Sequence, residues 1–399
     1  MNNKNLSEAL NYIDDNIIQT TEAARIVNKK YVLFCTIRTC VAACLVIAIG
    51  IGSTILIPKL KPKEQKPQTN ITDFSNLQTL TISQNVGNGG FEAYMAHDIS
   101  ELVNANPWYD GCEITTLPVY KNTLNLDENA QITNIDNDKM NSFILDIAQR
   151  CGLKKNEIEV IRDSRAYTDS LFVKTDSFKI RVDPELTATI EFEPKVSLPD
   201  KYNFSYYNST YDDMVEVAKY FKNEYKEIIN FKDPKINITK GDYNIYNQQS
   251  YSIEFYDGSS ELTNDIINYN FNRVTFHCDD VENKLWMIYV YNPDLSEKIG
   301  DYPIITVDEA DKLLKNGNYI TNVPSNYEVN TSNVAKVELI YRNTYWLDNT
   351  YIPYYRFYIE IPELENRYGH GLKHYGAYYV PAVDSKFISN MPLYDGNFN

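Results

Sequence analysis

Histidine and cysteine are scarce, at four and six of 399 residues. Metal centres and disulfide frameworks draw on these types, so both are poorly supplied here. His370 and His374 form the closest histidine pair, in the stretch RYGHGLKHYG. No glutamate follows His370, so the zincin pattern fails. Gly369, Gly371 and Gly376 point to a loop, and Glu363 and Glu365 can complete a metal site only in principle. A surface loop is the simpler reading. His97 and His277 are isolated and read as structural. Cys35, Cys40 and Cys44 share one apolar stretch, leaving Cys112, Cys151 and Cys278 far apart and odd in number. That is no disulfide framework; a Cys112–Cys151 bridge stays open beside isolated buried thiols.

Catalytic signatures are missing as well. No Gly-x-Ser-x-Gly, Walker loop or Rossmann fingerprint occurs. Asp136-Asn137-Asp138-Lys139-Met140 opens like a calcium loop. Met140 stands where an oxygen ligand belongs, and the required glycine is absent. Positive charge is short: 38 Lys and Arg face 54 Asp and Glu, for a net charge of -16. Such a surface repels phosphate backbones, so nucleic acid is not an expected partner. Carboxylates are too abundant to be informative, and a glycosidase needs two at a fixed separation. No catalytic residue, cofactor or metal ligand is therefore assigned.

What the chain does have is one long apolar run. Val41 to Ile57 holds 17 residues without a charge, near the lower limit for a membrane-spanning helix. The run extends back through Tyr31 to Ile37, interrupted by Arg38. Five basic and four acidic residues precede Pro58, so the remainder carries about -17. Flanking charge nearly ties the orientation, with Arg25, Lys29 and Lys30 before the run and Lys59, Lys61, Lys63 and Lys66 after it. The expectation is a cytoplasmic N-terminus, a single-pass cell-membrane anchor contacting lipid, and a large extracytoplasmic part. Residues 1–30 read as an amphipathic tail, 31–57 as the spanning helix and 58–75 as a proline-bearing linker. Then come two α+β domains, 76–199 and 200–399. Within the tail, Leu6, Leu10, Ile13 and Ile17 fall on one helical face. That face rests either on lipid and its own neighbours or on a cytoplasmic protein partner.

Tyrosine is the other excess: 33 Tyr and 16 Phe favour half-buried pleated surfaces, hence antiparallel sheet. Strand patterns are expected at 76–83, 115–122, 157–162, 170–175, 177–182, 188–193, 235–238, 251–256, 273–278, 284–291, 334–342, 352–361 and 376–383. Helical period marks 91–103, 138–151, 211–229 and 306–314, where Thr306 and Glu309 spell a capping box. The fold class expected is α+β: one N-terminal transmembrane helix, then antiparallel sheets each packed by a helix. Trp108, Trp286 and Trp346 can stack on sugars, although core packing is the simpler reading.

The run EALNYIDDNII, followed by basic residues and VAACLVI, resembles the start of uncharacterised single-pass Firmicutes membrane proteins, some with an anti-sigma-like layout. FEAYMAHDISELVNANPW with TTLPVYKN resembles a block in the same group. The last helix and strands, roughly 303–383, resemble PepSY-like domains and YycH/YycI-type regulators of a sensor kinase. These resemblances imply an architecture and a binding or regulatory role. The expected function is that of a non-enzymatic binding or signalling-associated module. The alternatives are a cell-wall or carbohydrate-binding module and an envelope-acting hydrolase.

Overall fold

Alternation of apolar and polar residues buries one face of a sheet, and strand pairing dominates this protein. The computed structural model describes residues 74–84, 90–126, 132–163, 169–279, 283–327, 329–342, 349–365, 367–394 and 396. They belong to one compact unit, Asp73–Asn399. In chain order the strands are β1 (Ala93–Ala96), β2 (Thr116–Lys121), β3 (Asn125–Leu126), β4 (Ile132–Thr133), β5 (Ile161–Asp163), β6 (Ser170–Lys174), β7 (Phe178–Asp183), β8 (Thr187–Ser197) and β9 (Pro234–Thr239). They continue as β10 (Ser252–Asp257), β11 (Arg273–Cys278), β12 (Lys284–Tyr291), β13 (Lys298–Pro303), β14 (Ile320–Thr321), β15 (Val334–Tyr341), β16 (Thr350–Tyr351), β17 (Pro353–Glu360) and β18 (Lys373–Pro381). The helices are α1 (Asn137–Arg150), α2 (Tyr211–Glu224), α3 (Lys226–Ile229), α4 (Leu262–Phe271) and α5 (Val307–Lys315).

Eight strands form the largest sheet, in the order β5-β6-β7-β8-β12-β11-β10-β9, all antiparallel. One of its faces is covered by α1 and α2. Met140, Ile144 and Ile147 from α1, with Met214, Val217 and Phe221 from α2, meet Ile180, Ile190, Val274 and Ile288 in one core. Spacings of three and four place each helical set on one stripe. Asp136 caps α1 by accepting from the Lys139 N–H, and Thr210 with Asp213 forms a capping box on α2. This sheet joins strands from both sides of Pro199, where the sequence suggests a boundary.

A second sheet orders β1-β18-β17-β15, with β14 added against β18. Its apolar face carries Leu339, Phe357 and Val380 and packs on Ile266 and Phe271 of α4 and Ala310 and Leu314 of α5. A three-stranded sheet, β13-β2-β16, and the β3–β4 hairpin complete the layout.

Three expectations are corrected. The spanning helix expected at 31–57 lies outside the described residues, and among those no helix is long and apolar enough to cross a membrane. The longest, α1 and α2, have 14 residues each, or about 21 Å against a core of about 30 Å. The transmembrane, single-pass and cell-membrane assignments, with their cytoplasmic and extracytoplasmic sides, are therefore not supported. Second, one helix per sheet is not the plan. Two helices share the eight-stranded sheet, and α4 touches strands of both large sheets, β10, β11 and β15. Third, 91–103 is not a helix. Its start becomes β1, because Tyr94 and Met95 pair with Tyr375 and His374 of β18, and only Ile99–Glu101 makes a 3-10 turn. Nonlocal pairing overrides the local preference here.

Candidate functional site

The polar face of the second sheet positions the site. Along β15 and β17 the alternation puts Leu339, Tyr355 and Phe357 into the apolar core. Glu338, Arg356 and Tyr358 therefore point the other way. Register sets Glu338 opposite Arg356, and Arg356 opposite Tyr379 of β18. These are charges in the middle of largely apolar strands, and burial forces them to pair.

The pairing is dense. Arg356 donates to a Glu338 carboxylate oxygen, and Tyr358 donates to the same oxygen at 3.0 Å. The other oxygen takes the Lys336 ammonium at 2.7 Å and the Asn104 amide at 2.8 Å. Burial alone would raise the Glu338 pKa, but the charges of Arg356 and Lys336 outweigh it and hold it at about 2. Arg356 also reaches the Tyr94 hydroxyl at 3.4 Å, and its guanidinium lies 5.0 Å from the Tyr358 ring centre. The Arg356 Nε–H is buried and has no hydrogen-bond partner among the described residues.

In front of this cluster opens a cleft of about 300 Å³. It lies where the edge of the eight-stranded sheet, at β9, meets the polar face of the second sheet. Five tyrosines line it: Tyr94, Tyr206, Tyr251, Tyr269 and Tyr358. Burial raises the Tyr94 and Tyr269 hydroxyl pKa values, so both stay neutral near neutral pH, and Tyr94 donates its proton to Glu92 at 3.0 Å. Lys240, Asp242 and Arg356 supply the charge, with Thr239, Ser250 and Ser252 as neutral polar groups.

The rim is held by close backbone approach. Val103 and Lys240 exchange two backbone hydrogen bonds of 3.1 Å. Gly241, at φ +100°, lies against Glu101, where an added Cβ would collide with the carbonyl. This contact places Lys240 and Asp242 on either side of the glycine at the cleft. Asp242 keeps exposed surface, yet its carboxyl is crowded and accepts the Met95 N–H at 3.0 Å. Crowding raises its pKa, and the Met95 hydrogen bond opposes that rise.

The residues singled out in the sequence do not assemble into this site. Leu6, Leu10, Ile13 and Ile17 lie outside the described residues, as does Trp346. Trp108 is buried, edge-on to Tyr355, and Trp286 is half-buried on β12. His374 belongs to β18 and is buried, whereas His370 sits in a left-handed turn at φ 63°. Among the described residues no group of three or more His, Cys, Asp or Glu is placed to hold a metal ion. Cys112 and Cys151 are free thiols, and Cys278 is buried in the core of the large sheet. The cleft residues went unranked because 33 tyrosines offer no spacing signal. A legible hint existed at Lys336, Glu338 and Arg356, charges inside largely apolar strands.

No protein-family model and no curated protein matches the sequence. Among solved structures, an uncharacterized protein from Eubacterium rectale ATCC 33656 is similar over 72% of this chain and 86% of its own, at 13% identity and a TM-score of 0.30.

Proposed function

We propose that this chain is a non-enzymatic binding protein whose ligand site is the tyrosine-lined cleft, and that the ligand is a polyhydroxylated small molecule of the sugar type. The observation that carries this reading is the convergence of five tyrosines on one cavity among short hydroxyl and amide side chains. Tyrosine rings give flat apolar faces, and their hydroxyls donate or accept, the combination that suits a sugar ring. The volume fits one small molecule rather than a polypeptide.

Binding is favoured over hydrolysis by the carboxylates. Among the described residues Asp242 is the one carboxylate in the cleft lining, and Glu338 behind it is committed to Arg356, Lys336, Tyr358 and Asn104. A hydrolase of glycosides needs two carboxyl groups facing the same bond.

The test is calorimetric titration with a panel of mono- and disaccharides, for the wild type and for Tyr206→Ala and Tyr251→Ala. Saturable binding is expected, weakened about three- to tenfold in each variant. No saturable binding to any member, or variants that bind like wild type, would overturn the reading.

A further inference from the structure

We infer that the ligand of the cleft is an acidic saccharide, whose carboxylate is received by Lys240 and the Arg356 Nε–H. The inference rests on the cleft being a sugar site and adds the sign of the ligand's charge.

Three observations carry it. First, the Arg356 Nε–H is buried and unpartnered among the described residues, although the same guanidinium is hydrogen-bonded to Glu338 and Tyr94. A buried donor without an acceptor costs about 1–3 kcal/mol, and Arg356 is part of the cleft lining, so a ligand oxygen that reaches the Nε–H recovers that cost. Second, Lys240 lines the cleft, and no carboxylate among the described residues pairs with it. Its ammonium instead lies 4.5 Å from the Tyr211 ring centre. Third, the local charge opposes that of the chain. In the lining itself Lys240 and Arg356 outnumber the carboxylate of Asp242, whereas the whole chain carries -16; behind it Lys336 pairs with Glu338, and Glu92 accepts from Tyr94. A cationic spot on so acidic a molecule selects an anion against long-range repulsion, which solvent ions screen beyond about 10 Å at 0.1 M salt.

The remaining groups fit the sugar part. Asp242 is an acceptor for hydroxyl donors, and Ser250, Ser252 and Thr239 both donate and accept. A uronic acid carries a carboxylate and several hydroxyls on one ring, matching both halves of the lining. A neutral sugar offers Lys240 and the Arg356 Nε–H only uncharged hydroxyl acceptors and leaves the lysine without a counter-charge. A simple carboxylate leaves the hydroxyl and tyrosine groups unused.

The experiment compares glucuronate with glucose, and galacturonate with galactose, by titration followed in protein NMR. Wild type, Lys240→Gln and Lys240→Arg are used, since Lys240 can be changed without unpairing Glu338. For wild type the acidic member of each pair should bind about tenfold more tightly and shift resonances of Tyr206 and Tyr251. Lys240→Gln should shrink that preference to about threefold or less, and Lys240→Arg should keep it. Equal binding of acidic and neutral sugars, with the tyrosine shifts present, overturns the charge inference and leaves the sugar site standing. An unchanged preference in Lys240→Gln overturns the assignment to this cluster. If none of the four sugars shifts the cleft tyrosines, the inference and the sugar site fall together.

Discussion

At Glu338, burial and neighbouring charge pull in opposite directions, and charge wins. The carboxyl titrates at about 2 in the fold, against an ordinary 4.5. As pH falls, the unfolded chain therefore takes up the proton before the folded one does. The stabilisation is fully present above about 4.5 and is lost as pH falls towards 2, with a total of order 3 kcal/mol. Neutralising the group has the same sense at every pH above that window. Glu338→Gln leaves Arg356 and Lys336 without their counter-charge and should cost roughly 3–5 kcal/mol. Urea unfolding at pH 7 measures it as a lower midpoint with an unchanged slope. Towards pH 2 the difference from wild type should shrink to a small fraction of its value at pH 7, because the wild-type carboxyl is then about half protonated. A variant as stable as wild type at pH 7 would mean that the pair is not buried as described.

Among the elements, α5 shows what local sequence can decide. The Thr306 hydroxyl accepts the Glu309 N–H at 3.3 Å, and the Glu309 carboxylate accepts the Thr306 N–H at 2.8 Å. All four groups lie within three residues, so the pattern was readable before any tertiary structure. Thr306→Ala should cost about 1 kcal/mol and lower Tm by roughly 2 °C, measured by thermal circular dichroism; Thr306→Ser should recover most of it. The opposite case is 91–103, where helical spacing was present and β1 formed instead. Its partner, β18, lies some 280 residues away. Helix α4 was missed for another reason. LTNDIINYNF is rich in Asn, which is indifferent to helix, and Ile266 and Phe271 gain their stability from packing between the sheets.

For the whole molecule, the eight-stranded sheet makes a sharp statement. β8 ends at Ser197 and β12 begins at Lys284, yet they pair from Thr187 opposite Tyr291 to Ser197 opposite Lys284. Cutting after Pro199 separates these partners and exposes a long, apolar edge on each fragment. Residues 76–199 expressed alone should therefore aggregate or remain without dispersed NMR signals, and mixing them with 200–399 should recover folded protein in part. An independently folded 76–199 fragment, seen as a sharp cooperative melt, would show that α1 with β5 to β8 suffices as a domain.

Composition and periodicity by themselves determined the antiparallel sheet content, the stripes of α1 and α2, the strands β11 and β12 to the residue, and the shortage of metal and catalytic motifs. Each of these is a local property, set by residues a few positions apart. The sheet order, the strand at 93–96 and the cleft were decided only by tertiary structure. Asn104 meets Glu338 across 234 positions, and Arg356 meets Tyr94 across 262. No period in the chain encodes such separations. They follow from burying the apolar faces of two sheets at once, which leaves the polar face of one looking onto the edge of the other.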